Sequence, residues 1–164
     1  MPRIKQSSAP QKVDFGRYYK KKYVLDVKSE LDFYEIMRDE ILGERFVAMI
    51  QIPLSSVIGI KNQYQKGGGT LWNKINKKRL DFVICRKDTL EGLLAIELDG
   101  PSHRNRKRQE RDAFVNELFK TIGFPLMRVP VQSRYDRNAI VEEMVSKMGL
   151  VRKRSKLASV PRRS

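Results

Sequence analysis

The stretch from Asp81 to His103 constrains this chain more than any other. Two short apolar runs, 81–86 and 93–99, flank the polar segment Lys87-Asp-Thr-Leu-Glu-Gly92, which predicts a β-hairpin. Both runs are apolar at odd and even positions, as strands are at the centre of a sheet covered on both sides. Yet Asp81 opens the first run, and Glu97 and Asp99 close the second. Side chains alternate with period two, so Glu97 and Asp99 share a face. A symmetric hairpin centred near 89–90 sets Asp81 opposite about residue 98, which gathers the three carboxylates at one end of the sheet. Such a cluster is costly unless a cation neutralises it. Hard oxygen donors at this density suit Mg²⁺ or Mn²⁺. His103, the only histidine, follows a Gly-Pro turn four residues after Asp99 and is a candidate general base or water-orienting group. The competing account for Glu97 and Asp99 is an ordinary ion pair with Arg79, Arg104, Arg111 or Arg128.

Charge points to the partner. The net charge is +15, and 1–23 and 151–164 each carry +6. The expected organisation is therefore a basic flexible arm (1–23), a single domain (24–150) and a basic flexible tail (151–164). Basic arms of this kind bind polyanions by neutralising phosphates. Within the domain, Lys74, Lys77, Lys78 and Arg79 lead into the Asp81 strand, and Arg104, Arg106, Lys107, Arg108 and Arg111 follow His103. Both basic runs flank the carboxylates, as a phosphate-tracking rim should. Tyr18, Tyr19, Tyr23 and Trp72 are candidates for stacking on bases, although Trp72 also reads as a partial core residue. No apolar run reaches the roughly 20 residues of a membrane span, and no apolar leader follows Met1. Cys85 is the only cysteine, which excludes an internal disulfide and a cysteine-based zinc cage. The expectation is a cytoplasmic protein with no membrane partner and a buried Cys85.

Elsewhere the pattern predicts a helix from Ser29, as N-cap, to Leu42, a strand over 45–52 ended by Pro53, and a short helix over 54–60. A flexible glycine loop over 63–70 follows, with Thr70 capping a short helix. A basic loop over 104–108 leads to a helix ending at Ile122, whose inner stripe is Val115, Leu118, Phe119 and Ile122. Gly123 stops it. A fourth strand (125–131) and a last helix capped by Asp136 complete the domain. Phe33, Phe46, Phe82 and Phe114 are assigned to the core. The fold class is α/β, a mixed four-stranded sheet flanked by helices in the order αβββαβ.

Asp81, a hairpin, then Glu97-Leu-Asp99 resembles the active-site pattern of the PD-(D/E)XK restriction-endonuclease-like nucleases. Asp81-Phe-Val-Ile-Cys, Ile96-Glu-Leu-Asp-Gly100, Ser102-His103, Arg111-Asp112-Ala-Phe114 and Gly123-Phe-Pro-Leu-Met-Arg128-Val together resemble a branch related to very-short-patch-repair endonucleases. Glu30-x-x-Phe33-Tyr34 fits the branch's opening motif. The similarity covers about 29–131. It implies a restriction-endonuclease-like core with Asp81 and Glu97 as metal carboxylates and Glu30 completing the metal shell or orienting water. It further implies His103 as base or water-positioner, Asp112 supporting His103 or an arginine, and Arg128 contacting the scissile phosphate or holding Asp112. Asp99 occupies the place of the superfamily's lysine. Val115 stands where the branch commonly has another lysine, and Arg111 or Lys120 is a candidate replacement.

The expected activity is metal-dependent hydrolysis of phosphodiester bonds, with DNA favoured over RNA. Two alternatives stand beside it. One is an inactive nucleic-acid-binding module of the same fold, which Val115 favours. The other is a basic structural subunit of a ribonucleoprotein or a larger nucleic-acid-processing assembly, whose tails order only in the complex.

Overall fold

The computed structural model describes residues 14–62, 64, 66–100 and 106–150, with no side-chain detail for 106–108. The predicted class is what the chain adopts: a four-stranded mixed α/β sheet flanked by four helices. The order is α1 (Lys28–Glu40), β1 (Phe46–Pro53), α2 (Gly68–Asn76), β2 (Arg79–Arg86), β3 (Gly92–Asp99), α3 (Arg106–Ile122), β4 (Leu126–Pro130) and α4 (Arg137–Lys147). Strands lie in sequence order, β1-β2-β3-β4. The first two pairings are antiparallel and β3–β4 is parallel, with α3 as the crossover.

Each face of the sheet has its own core. On one, Phe33 and Met37 of α1 and Met144 of α4 pack on Phe82, Ile84, Leu94, Ile96 and Met127. On the other, Val115 and Phe119 of α3 and Ile75 of α2 pack on Val83, Cys85 and Ala95. This two-sided burial explains why β2 and β3 read as continuous apolar runs. Cys85 is buried, and burial raises its thiol pKa, as an inert core cysteine requires.

Local signals were partly overridden. Ser29 is not the N-cap: α1 starts at Lys28 from an extended Val27 with no side-chain cap, and Asp32 instead pairs with Lys28 at 2.7 Å one turn apart. Thr70 is not a cap either. Gly67, at φ 90°, takes the left-handed turn a side chain resists, and Gly68 to Thr70 become the first turn of α2 rather than a loop. The segment after Pro53 forms one 3₁₀ turn, Leu54–Ser56. Pro53 itself is the last residue of an edge strand, where its missing N–H is tolerated. Arg106, Lys107 and Arg108 lie in α3, not in the loop before it. Ile122 is 47 % exposed rather than on the inner stripe, and Trp72 is 41 % exposed. Phe33 and Phe82 are fully buried, while Phe46 and Phe114 pack at the core's margins. In the basic arm, Asp14 accepts from the Gly16 N–H and starts a 3₁₀ turn, Phe15–Arg17. The arm's first thirteen residues and the tail 151–164 lie outside the described residues.

Gly123 (φ 68°) ends α3 as predicted, and Asp136 caps α4 by accepting from the Ala139 N–H at 3.1 Å. Because α4 supplies Met144 and Val141 to the core, loss of this cap is felt by the whole domain. Asp136→Ala is expected to lower unfolding free energy by about 1 kcal/mol. Urea titration checks this, with a lower midpoint and an unchanged slope.

Candidate active site

The sheet's register builds the site. Phe82 faces Ile96, and continuing that register puts Asp81 level with Glu97. Glu97 in turn pairs with Arg128 across the parallel β3–β4 ladder. Ile50↔Phe82 and Ile52↔Leu80 bracket Gln51 and Asp81 on the other side. Gln51, Asp81, Glu97 and Arg128 therefore form one row across all four strands. The expected partner of Asp81, near residue 98, was one position off. Leu98 instead lends its backbone N–H, which donates to Asp81 Oδ2 at 2.8 Å.

Gln51 had no signal in the sequence. It is a non-glycine residue at φ 52°, a left-handed conformation that costs on the order of 1–3 kcal/mol. The break switches the alternation of β1: Ile50 belongs to one core and Ile52 to the other. Gln51 Nε2 donates to Glu30 Oε1 at 3.2 Å and to Asp81 Oδ1 at 3.3 Å. The Gln51 carbonyl accepts from Arg79 at 2.8 Å. A strained residue that ties two acids together at a strand end has the profile of a functional position.

Arg128 organises the other half. Its guanidinium meets Glu97 Oε2 at 2.8 Å, Asp99 Oδ1 at 2.9 Å and Asp112 Oδ1 at 3.5 Å, and its Nε donates to Asn116 Oδ1 at 2.8 Å. The ion-pair account of Glu97 and Asp99 is thus realised through Arg128, and Arg128 also holds Asp112, one of the two roles the resemblance implied. Asp81 and Glu30 instead share the Gln51 amide.

The electrostatics follow from this division. Burial raises the pKa of Asp81, with Asp99 adding repulsion against the hydrogen bonds from Leu98 and Gln51. Burial also raises Glu97, which is only 5 % exposed, and outweighs the attraction of Arg128 and Arg111. Glu30 is raised by burial and by the Asp81 charge. Opposite them, the pKa of Lys78 is lowered by burial and by Arg111, while Glu97 and Asp112 pull it back up. Lys78 Nζ lies 5.2 Å from the Phe114 ring centre and Lys74 Nζ 5.8 Å, so one ring steadies two cations.

A cavity of about 470 Å³ brings the first predicted basic run to the site: Lys74, Lys77, Lys78, Arg79 and Arg111 line it together with Asp81. His103 and Arg104 lie outside the described residues, as do the side chains of Arg106, Lys107 and Arg108. Val115 points into the core under α3, so the position cannot deliver a cation to the carboxylates without leaving that core. Lys120 is exposed and lines a separate cavity with Asn116 and Glu143, whereas Arg111 acts on both Asp81 and Glu97.

The donor chemistry fits a hard divalent cation. Three carboxyl groups whose proton affinity is raised by burial and mutual repulsion are the groups such an ion would stabilise. Among the described residues no three acidic, histidine or cysteine groups stand together as ligands; Arg128 engages Glu97, and Gln51 bonds both Glu30 and Asp81.

The raised pKa of Asp81 carries a stability consequence. Its ionised form weakens the fold above the raised value. That penalty fades as pH falls through it and is gone below the ordinary value of 3.8. Asp81→Asn is expected to melt higher than the parent at neutral pH, with the difference closing as pH falls into the ordinary carboxylate range. Paired thermal melts across pH check this, and a lower-melting variant at neutral pH contradicts it.

Among the described residues no helix is long and apolar enough to cross a membrane. No curated protein and no solved structure matches the chain. One family model does, over residues 22–148, which takes in every element from α1 to α4. The chain belongs to the family described as "Protein of unknown function (DUF2726)".

Proposed function

We propose that this protein is a metal-dependent nuclease of restriction-endonuclease-like fold that hydrolyses phosphodiester bonds, DNA before RNA. The observation that carries the reading is the cavity in which five cationic side chains converge on Asp81, beside the buried Glu97. Cations placed to hold phosphates directly against buried carboxylates are what phosphodiester hydrolysis needs. Asp81 and Glu97, with Glu30 beside them, would hold Mg²⁺ or Mn²⁺. Such an ion polarises a phosphoryl oxygen and lowers the pKa of an attacking water.

The chain's own groups supply the rest. Lys74 and Lys77 bind flanking phosphates. Lys78 and Arg111 face the charge that develops on the phosphoryl oxygens, taking the place that Asp99 and Val115 leave without a lysine. As the water oxygen attacks phosphorus in line, its proton passes to a base, for which Glu30 and His103 are the candidates. The P–O bond to the leaving oxygen breaks, and that oxygen takes up a proton. Gln51 holds the Glu30 and Asp81 carboxylates in register, and Arg128 fixes the rotamers of Glu97, Asp99 and Asp112.

One observation favours a second reading, a binding module of the same fold that does no chemistry: Arg128 already neutralises Glu97. Cleavage separates the two. Supercoiled plasmid, single-stranded DNA and RNA are incubated with Mg²⁺, Mn²⁺ or EDTA. The nuclease cleaves only with metal. Asp81→Ala and Glu97→Ala lower the rate by about 10²-fold or more while binding is kept. Tight binding without cleavage under every condition, or cleavage in EDTA, sinks the proposal. Binding has its own measure. Lys74→Gln with Lys77→Gln is expected to reduce the slope of log affinity against log salt by roughly 1.8, about 0.9 for each phosphate that is no longer neutralised. An unchanged slope removes these two lysines from the interface.

A further inference from the structure

A second cavity, of about 540 Å³, opens on the other side of the carboxylates. It shares Arg79 with the basic cavity and reaches Glu30 and Gln51. The two differ in character. The basic cavity sets five cations against one carboxylate. In the second, Lys22 and Arg79 are balanced by Asp26 and Glu30, and Lys22 and Asp26 are already paired at 3.2 Å. Its apolar walls come from Tyr23 and Val24, and Tyr23 is 83 % exposed.

We infer that this cavity is a subsite for one unpaired nucleobase, stacked on Tyr23, while the phosphates of the same strand lie in the basic cavity across Asp81. The balanced charge gives a phosphate no net attraction here and places two acids where they repel it. A neutral aromatic ring with polar edges is what the walls suit: a ring face for Tyr23, donors for the Asp26 and Glu30 carboxylates, and acceptors for Lys22 and Arg79. The volume lies within the ~300–1,000 Å³ of small-ligand sites. A base stacked and paired within a duplex cannot enter. The substrate class is therefore a strand that is single at this position: an overhang, a gap, a flap or a flipped-out nucleotide. The inference rests on the phosphodiester chemistry proposed above and adds the substrate's form.

Fluorescence anisotropy on the full chain in EDTA, where turnover is stopped, tests it. The probes are a labelled single-stranded oligonucleotide and the blunt duplex of the same sequence. Tyr23→Ala is expected to weaken single-strand binding about tenfold and to leave duplex binding unchanged, and Tyr23→Phe restores single-strand binding because the ring, not the hydroxyl, makes the stack. No loss, or an equal loss for strand and duplex, overturns the subsite. The two proposals fail separately. Metal-dependent cleavage by a chain whose Tyr23→Ala variant shows no strand-selective loss leaves the nuclease standing without the subsite. Strand-selective loss in a chain that cleaves nothing leaves the subsite standing alone.

Discussion

The contact on which the rest of this structure depends is the set of bonds made by Arg128. One guanidinium on β4 holds Glu97 and Asp99 of β3 and Asp112 of α3, and adds Asn116. It thereby joins the two parallel strands to the helix that crosses between them, at the end of the sheet where the acids collect. Only Glu97 is buried in this network, while Arg128, Asp99 and Asp112 keep partial contact with solvent, so loss of Arg128 leaves Glu97 as the one buried charge without its partner. Its value here is orientation more than net stability. Glu97 is buried with a raised pKa, and Arg128 favours its ionised form and fixes its rotamer.

The same end of the sheet is strained and repulsive. Gln51 is held in a left-handed conformation, and Glu30, Asp81 and Glu97 all resist ionisation. None of this helps folding. It is sustained by two apolar cores, one on each face, built from Phe33, Met37 and Met144 on one side and Val115, Phe119 and Ile75 on the other. The interior thus offsets the stability given up at this edge, and it is on this edge that the proposed site rests.

Two cavities of opposite character meet at this edge, one strongly cationic and one balanced and aromatic. Arg79 lies between them, anchored to the Gln51 carbonyl. Different elements line them: α2 and α3 contribute to the first, and the segment entering α1 to the second. On the function proposed above, a net charge of +15 would attract polyanions of every sequence, and selectivity among them would have to come from features that are not simply positive.

Much of this was legible in the residues alone. Apolar runs, a polar hairpin segment and the Gly123 and Asp136 signals carry the strand and helix order, because backbone propensity and burial periodicity are local. The acids at the strand ends carry the existence of a cluster for the same reason. The tertiary structure decided the pairing partner of Asp81, since a shift of one residue in an antiparallel ladder moves a side chain to the opposite face. It decided that Arg128, rather than Arg79 or Arg111, engages Glu97 and Asp99, because the parallel β3–β4 register sets Arg128 beside Glu97. It alone disclosed Gln51 and the Tyr23 cavity. Both join residues far apart in the chain, and no local pattern encodes a contact made only when the sheet edge and the entry to α1 close on each other.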